Sequence, residues 1–182
     1  MSATTASTHA PAGTWSVDRA RSRVAFAVKQ LGLSDVRGRF GELEGTLELG
    51  DDLAEARVHG SVTVASLDTE NKRRDAHLRS PAFFDAERHP SITFRSSTIR
   101  RLDSGALEIS GDLTIHGQTR PITLTADVRA TEERPGGDRR LALAVRGRLN
   151  RRDYGVSPSP LLSAVVSDEV ELLLDISAVE RA

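Results

Sequence analysis

No cysteine occurs among the 182 residues, which excludes disulfides, thiol catalysis and thiolate metal sites and is compatible with a reducing compartment. An excess of charge of one sign is also missing. Twenty-five basic residues stand against 26 acidic ones, interleaved along the chain, for a net charge of -1. That balance gives no strong attraction for nucleic acid or an anionic membrane surface. Long apolar runs are absent too: nothing approaches the roughly 18 consecutive apolar residues of a membrane-spanning helix, so stable membrane insertion is not expected. Residues 1–13, MSATTASTHAPAG, carry neither a basic start nor the apolar stretch of about 7 to 15 residues that a secretory signal needs. They read as a flexible tail. The expected location is the cytoplasm, or the periplasm or exterior if a signal has been removed. Aromatics are few, with one Trp, one Tyr and five Phe, so little bulk is available to fill an interior.

What is present is alternation. Val24, Phe26 and Val28 share one parity while Arg23 and Lys29 take the other, the pattern of a strand covered on one face. The period of two returns at Leu43 to Leu49, at Val58, Gly60, Val62 and Val64, and more weakly at Ile92 and Phe94. It continues at Leu107 to Ile115, Ile122 to Val128, Leu141 to Leu149 and Val170 to Ile176. About eight strands follow, separated by turn signals such as Gly50-Asp51-Asp52, Asp103-Ser104-Gly105, His116-Gly117-Gln118 and Pro135-Gly136-Gly137-Asp138, a spacing typical of an antiparallel barrel or sandwich. The single clean apolar face on nearly every run favours the barrel. Glycines at the inward parity, Gly45, Gly60, Gly111 and Gly147, either open internal room or mark bulges. Residues 14–180 are read as one domain.

One stretch breaks the pattern: Asp68 to Pro90, DTENKRRDAHLRSPAFFDAERHP. It reads as a short helical insertion around residues 70–87, capped by Asp68 or Thr69, running through Arg79 and supported by an Asp75–Arg79 pair at i, i+4. Ser80-Pro81 suits the start of a second short turn, after which Phe83 and Phe84 supply an apolar wedge. Such an insertion most economically plugs or lids one end of a barrel.

These residues carry a resemblance. TWSVD followed by SRVAFAVK, then VRGRFGELEG, SLDTENKRRDAHLRSPAFFDAERHPSITFRS, GDLTIHGQTRPITL and NRRDYG, in that order, resemble the YceI-like family of bacterial polyisoprenoid-binding, lipocalin-like barrel proteins. The resemblance extends across nearly all of residues 14 to 180, and departs from the common pattern where Arg21 and Gln30 replace histidines found in many relatives. It implies an antiparallel eight-stranded lipocalin-like barrel with an internal tunnel for a long apolar chain.

Within that frame the candidate tunnel lining is Val24, Phe26, Val28, Phe40, Leu47, Val62, Val64, Phe83, Phe84, Phe94, Leu113, Ile115, Leu124, Leu143, Val145, Leu172 and Leu174; any of them can equally be plain core. Arg151 and Tyr154 are the mouth candidates, with an internal Arg–Asp pair holding that loop as the alternative. Residues 155–166 read as a gate or cover. Leu172 to Leu174, apolar on both parities, hint at a covered outer face and a homodimer.

Chemistry beyond binding finds little support. His9, His59, His77, His89 and His116 lack metal-ligand spacing, so no metal is expected, and His77 reads as an anchor for the insertion. Asp75, His77 and Ser80 are sequence neighbours without a nucleophile elbow, while Asp51-Asp52 and Glu132-Glu133 sit in predicted turns and read as solvated loop charges. The expectation is a non-catalytic carrier or store of a polyisoprenoid or isoprenoid-quinone-like lipid, with no other cofactor. A carrier of fatty acids or their amides, a lipid head-group enzyme and a ligand-free interaction module are the alternatives.

Overall fold

A computed structural model describes residues 10–156 and 166–181. Eleven strands and one α-helix follow in the order β1 (Gly13–Val17), β2 (Arg23–Gln30), β3 (Ser34–Phe40), β4 (Leu43–Leu49), β5 (Arg57–Thr63), β6 (Leu67–Asp68), α1 (Lys72–Arg79), β7 (Ser91–Arg101), β8 (Leu107–Ile115), β9 (Gln118–Glu133), β10 (Arg139–Asn150) and β11 (Val166–Glu180). Neighbouring strands pair antiparallel in the sheet order β1-β4-β5-β7-β8-β9-β10-β11-β2-β3-β6. β1 also pairs with β11, through Trp15↔Glu180, Ser16↔Val179 and Val17↔Ala178. The ring β1-β4-β5-β7-β8-β9-β10-β11 therefore closes as an eight-stranded antiparallel barrel, and closure leaves no exposed strand edge around it.

All eight expected runs are strands. The strand that closes the ring, β1, is a further one, as are β3 and β6. GTWSV is too short to display a period, and SDVRGRF interrupts its inward parity with Gly38 between Val36 and Phe40. Gly38 sits there because a Cβ would come 2.3 Å from Cζ of Phe26.

The barrel is not uniform along its axis. β11 pairs at its C-terminal end with β1 and along Val166 to Asp175 with β2. At Asp18 the chain leaves the ring, makes a single 3-10 turn at Arg19–Arg21, and re-enters as β2, which carries β3 beside it. One half of the wall thus contains β1, and the other contains β2 and β3 in its place. Barrel diameter grows with strand number, so the second half is wider.

The β1 half is solid. Trp15, Leu141, Ala126 and Ala178 are each fully buried, with Leu49, Ala56, Ile99 and Leu107 packed in the same core. Its rim is held by ion pairs: Arg139 Nε donates to Glu180 Oε2 at 2.6 Å, Arg139 Nη2 donates to Glu180 Oε1 and to the Ala12 carbonyl, the latter at 3.1 Å, and Arg140 Nη1 donates to Asp18 Oδ2 at 2.9 Å. Residues 10–13 are consequently anchored, Ala10 being buried and Gly13 lying in β1. The rest of the expected tail, residues 1–9, lies outside the described residues.

The insertion differs in detail from its sequence reading. Asn71, rather than Asp68 or Thr69, caps α1, accepting from the Arg74 N–H at 3.0 Å. The Asp75–Arg79 pair does not form. Asp75 is buried and accepts from the Thr69 N–H at 2.9 Å and the Thr69 hydroxyl at 2.6 Å, while Arg79 Nη2 donates to the Leu67 carbonyl. Both side chains turn toward the chain entering the helix, where a buried carboxylate finds the donors it requires. Ser80 ends α1 and also opens the expected second short turn, over residues 81–84, with the Phe83 N–H donating to the Ser80 carbonyl at 3.0 Å.

Candidate ligand-binding cavity

The wide half is hollow. A cavity of about 450 Å³ lies inside it, within the range of small-molecule sites. Its wall is aliphatic and aromatic: inward residues of β8 to β11, among them Leu113, Ile115, Leu124, Leu143, Val145, Leu172 and Leu174, face Val24, Phe26 and Val28 of β2 and Leu47, Val62 and Phe94 across the space. Gly45 and Gly60, direct partners in the β4–β5 register, also lie on the wall. The nearest atom to a Cβ built on Gly60 is the Glu44 carbonyl oxygen at 3.6 Å, so the missing side chain there leaves room, whereas a Cβ on Gly45 would come 3.0 Å from the His59 carbonyl oxygen and from Cγ2 of Val17. Gly111 has another cause. It lies opposite the β7 irregularity between Ser96 and Thr98, where a Cβ would come 2.3 Å from the Arg95 carbonyl oxygen.

The insertion covers this half. Leu78, Phe83, Phe84, Arg74 and His77 all reach the cavity. Phe84 meets Phe40 edge-on at 6.4 Å between centroids, and Phe40 meets Phe26 at 5.8 Å, so a row of rings joins the insertion to β3 and β2. His77 packs its ring against Phe83 at 5.0 Å, and among the described residues it makes none of the ring hydrogen bonds expected of an anchor. Anchorage comes from Arg74, which donates to the Thr69 hydroxyl and carbonyl, both at 2.8 Å. Asp75, His77 and Ser80 form no relay, since the Ser80 hydroxyl donates to the His77 carbonyl at 2.6 Å.

All the expected lining residues except Val64 lie on this wall. Val64 is buried in a 3-10 turn after β5 ends at Thr63, and its alternation with Val62 stops where the strand stops. The parity rule, extended along the same runs, also reaches Ile109, Ile122, Leu149 and Ile176, which line the cavity too. Val36 and Leu78 were hidden by the unrecognised β3 and by a helical face.

Arg151 and Tyr154 reach the cavity as well, yet neither forms an open mouth, for both are buried. Arg151 Nε donates to the Ser167 carbonyl at 3.0 Å, Nη1 to the Val156 carbonyl at 3.3 Å, and Nη2 to the Val166 carbonyl at 3.2 Å and Asp168 Oδ1 at 2.8 Å. This guanidinium is a clasp across the chain, and its acidic partner is Asp168, not the adjacent Asp153. Burial pulls its pKa below the usual arginine value, with Asp168 opposing. Burial likewise pushes the Tyr154 hydroxyl up, with the Asp153 charge adding to it. Of the segment read as a gate or cover, residues 157–165 lie outside the described residues.

Comparison with known proteins agrees with the geometry. The model of the YceI-like domain family matches residues 15–178. A UPF0312 protein of Vibrio cholerae is 36% identical over 138 residues, covering 75% of this chain and 73% of that protein. Among solved structures, Burkholderia cenocepacia BcnA superposes with a TM-score of 0.80 at 23% identity, over 88% of this chain and 98% of that one. A polyisoprenoid binding domain from Saccharophagus degradans does so with a TM-score of 0.67 at 15% identity, over 92% and 98%.

Proposed function

Since this chain belongs to the YceI-like family, we propose that it binds and carries or stores, without catalysis, a polyisoprenoid or isoprenoid-quinone-like lipid in the hollow half of its barrel. The observation that carries this reading is the apolar cavity, walled by residues such as Val62, Leu124, Leu143 and Leu172 and lined also by Phe83 and Phe84 of the insertion. Each methylene buried there contributes about 0.8 kcal/mol, so one isoprene unit adds roughly 3 kcal/mol before ordering costs, and a few units suffice for tight binding. The polyisoprenoid binding domain of Saccharophagus degradans, which shares the fold, supports the choice of ligand class. His77 and Tyr154, polar side chains on a mostly apolar wall that also carries Arg74 and Arg151, are placed to meet a carbonyl or hydroxyl at the polar end of such a lipid.

Native mass spectrometry of the purified protein, with solvent extraction of whatever leaves it, tests this directly. A stoichiometric prenyl lipid or quinone is the expected result. Recovery of a fatty acid or amide would replace the ligand class, and an empty protein that takes up no added prenyl lipid would overturn the reading.

A further inference from the structure

Outside the cavity, on the capped end of the barrel, a second polar cleft is lined by Asp85, His89, His116 and Asp153 together with Arg88, Arg120 and Arg152. It shares no lining residue with the apolar cavity. We propose that Asp85, His89 and His116 bind a divalent first-row transition metal there.

Three segments converge on this point. Asp85 and His89 lie on the turns after α1, with the His89 N–H donating to the Asp85 carbonyl at 2.8 Å. His116 comes from the two-residue hairpin between β8 and β9, where φ is +52° at His116 and +71° at Gly117, as the tightest hairpins require. One ligating atom from each of the three residues lies within 4.8 Å of the other two, and they are the one such group among the described residues. The rings of His89 and His116 stand 4.9 Å apart, edge to face. A Cβ on Gly117 would come 2.9 Å from Cε1 of His89, so the glycine demanded by the turn also seats that imidazole.

Two observations point to a ligand. Asp85 is 7% exposed, its carboxylate accepts no hydrogen bond among the described residues, and its charged neighbour, the Arg88 Nε, stands 3.8 Å away on a side chain that is 83% exposed. The carboxylate borders the cleft, so its oxygens are open to bond a cation. The donor set supplies the second. Two imidazoles and one carboxylate, leaving positions open to water, form a recurrent site for Zn²⁺ or Fe²⁺. Bonds of about 2.0–2.2 Å require the triangle to contract by about 1 Å, which rotation of two half-buried imidazoles supplies. The arginines weigh against a cation less than their number suggests, because Arg152 Nε is paired with Asp168 at 2.8 Å and Arg88 is free to swing out. Sequence spacing hides the site because His116 is remote along the chain and is brought in only by sheet pairing.

The test uses full-length protein freed of metal by chelation, titrated with Zn²⁺ by calorimetry and with Co²⁺ by its visible absorption. About one equivalent per chain and a rise in Tm are expected. His89→Gln and His116→Gln should each weaken binding at least about 100-fold, whereas His59→Gln should not. Arg88→Gln, on an exposed side chain, should leave folding intact and tighten binding severalfold by removing a competing charge. Failure of the wild type to bind, undiminished wild-type affinity in both histidine variants (an adventitious ion only), or no tightening by Arg88→Gln would overturn the proposal.

Discussion

Leu141 and Leu143 are successive inward residues of β10, yet they face different conditions. Leu141 is fully buried and lines no part of the cavity, whereas Leu143, buried in the same core cluster, also stands on the cavity wall. The two halves share strands, alternation and residue types, so composition cannot cause the difference. Connectivity does. Where β1 closes the ring the interior is narrow enough for Trp15 to fill, and where the chain steps out at Asp18 and returns as the β2–β3 pair the wall gains a strand and the same aliphatic side chains no longer meet. A filled barrel and a binding barrel are therefore parts of one molecule, divided by a break of five residues, Asp18 to Ser22, between β1 and β2.

The sharpest way to break the comparison is to remove the plug of the solid half. Trp15→Ala should cost about 3–5 kcal/mol, the range for deleting a large buried aromatic, measured by urea unfolding. The side chain is fully buried and lies under Arg139, whose guanidinium carbon is 5.5 Å from the ring centroid. A loss below about 1 kcal/mol would mean that the solid half is not packed as described.

The paired leucines give the next effect. Leu141→Trp inserts volume where none is free and should cost about 1–3 kcal/mol. Leu143→Trp, two residues along the same face, inserts the same volume into space and should cost less than about 1 kcal/mol while lowering prenyl-lipid uptake at least tenfold, as should Val62→Trp. Equal destabilisation by Leu141→Trp and Leu143→Trp would erase the distinction between halves; unchanged uptake in Leu143→Trp and Val62→Trp would place the ligand elsewhere.

The sequence shows much of this and misses the part that matters most for it. Long runs such as Leu107 to Ile115 and Leu141 to Leu149 declare themselves because a strand with one covered face must alternate, and nearly all the lining was readable from parity. Parity reports facing, not distance across the barrel, so it cannot say that Leu143 borders open space and Leu141 does not. That depends on β1 and β3, whose five and seven residues are too short or too interrupted by glycine to show a period. The insertion was visible as a break, but its contacts were not: whether Asp75 turns to Arg79 or to Thr69 is decided by burial, which sequence spacing does not contain.

The smallest expected effect distinguishes the halves by acid. At the rim of the solid half the hydrogen bond from Arg140 holds the Asp18 carboxyl below the usual carboxylate range, and that from Arg139 does the same for Glu180. Because folding lowers both values, the unfolded chain takes up protons first as the pH falls. The contribution of each pair is complete above the unfolded carboxyl values, about 3.9 for Asp and 4.3 for Glu, and is lost as the pH drops through the lower folded values. Both pairs are partly exposed, with side-chain exposure of 22% for each acid, so each contributes at most about 1 kcal/mol. Asp18→Asn and Glu180→Gln should therefore be less stable than the wild type at pH 7, and the gap should close as the pH falls below about 3. A gap that persisted there would assign the loss to packing around Trp15 instead of to charge, and acid would no longer distinguish the closed end from the hollow one.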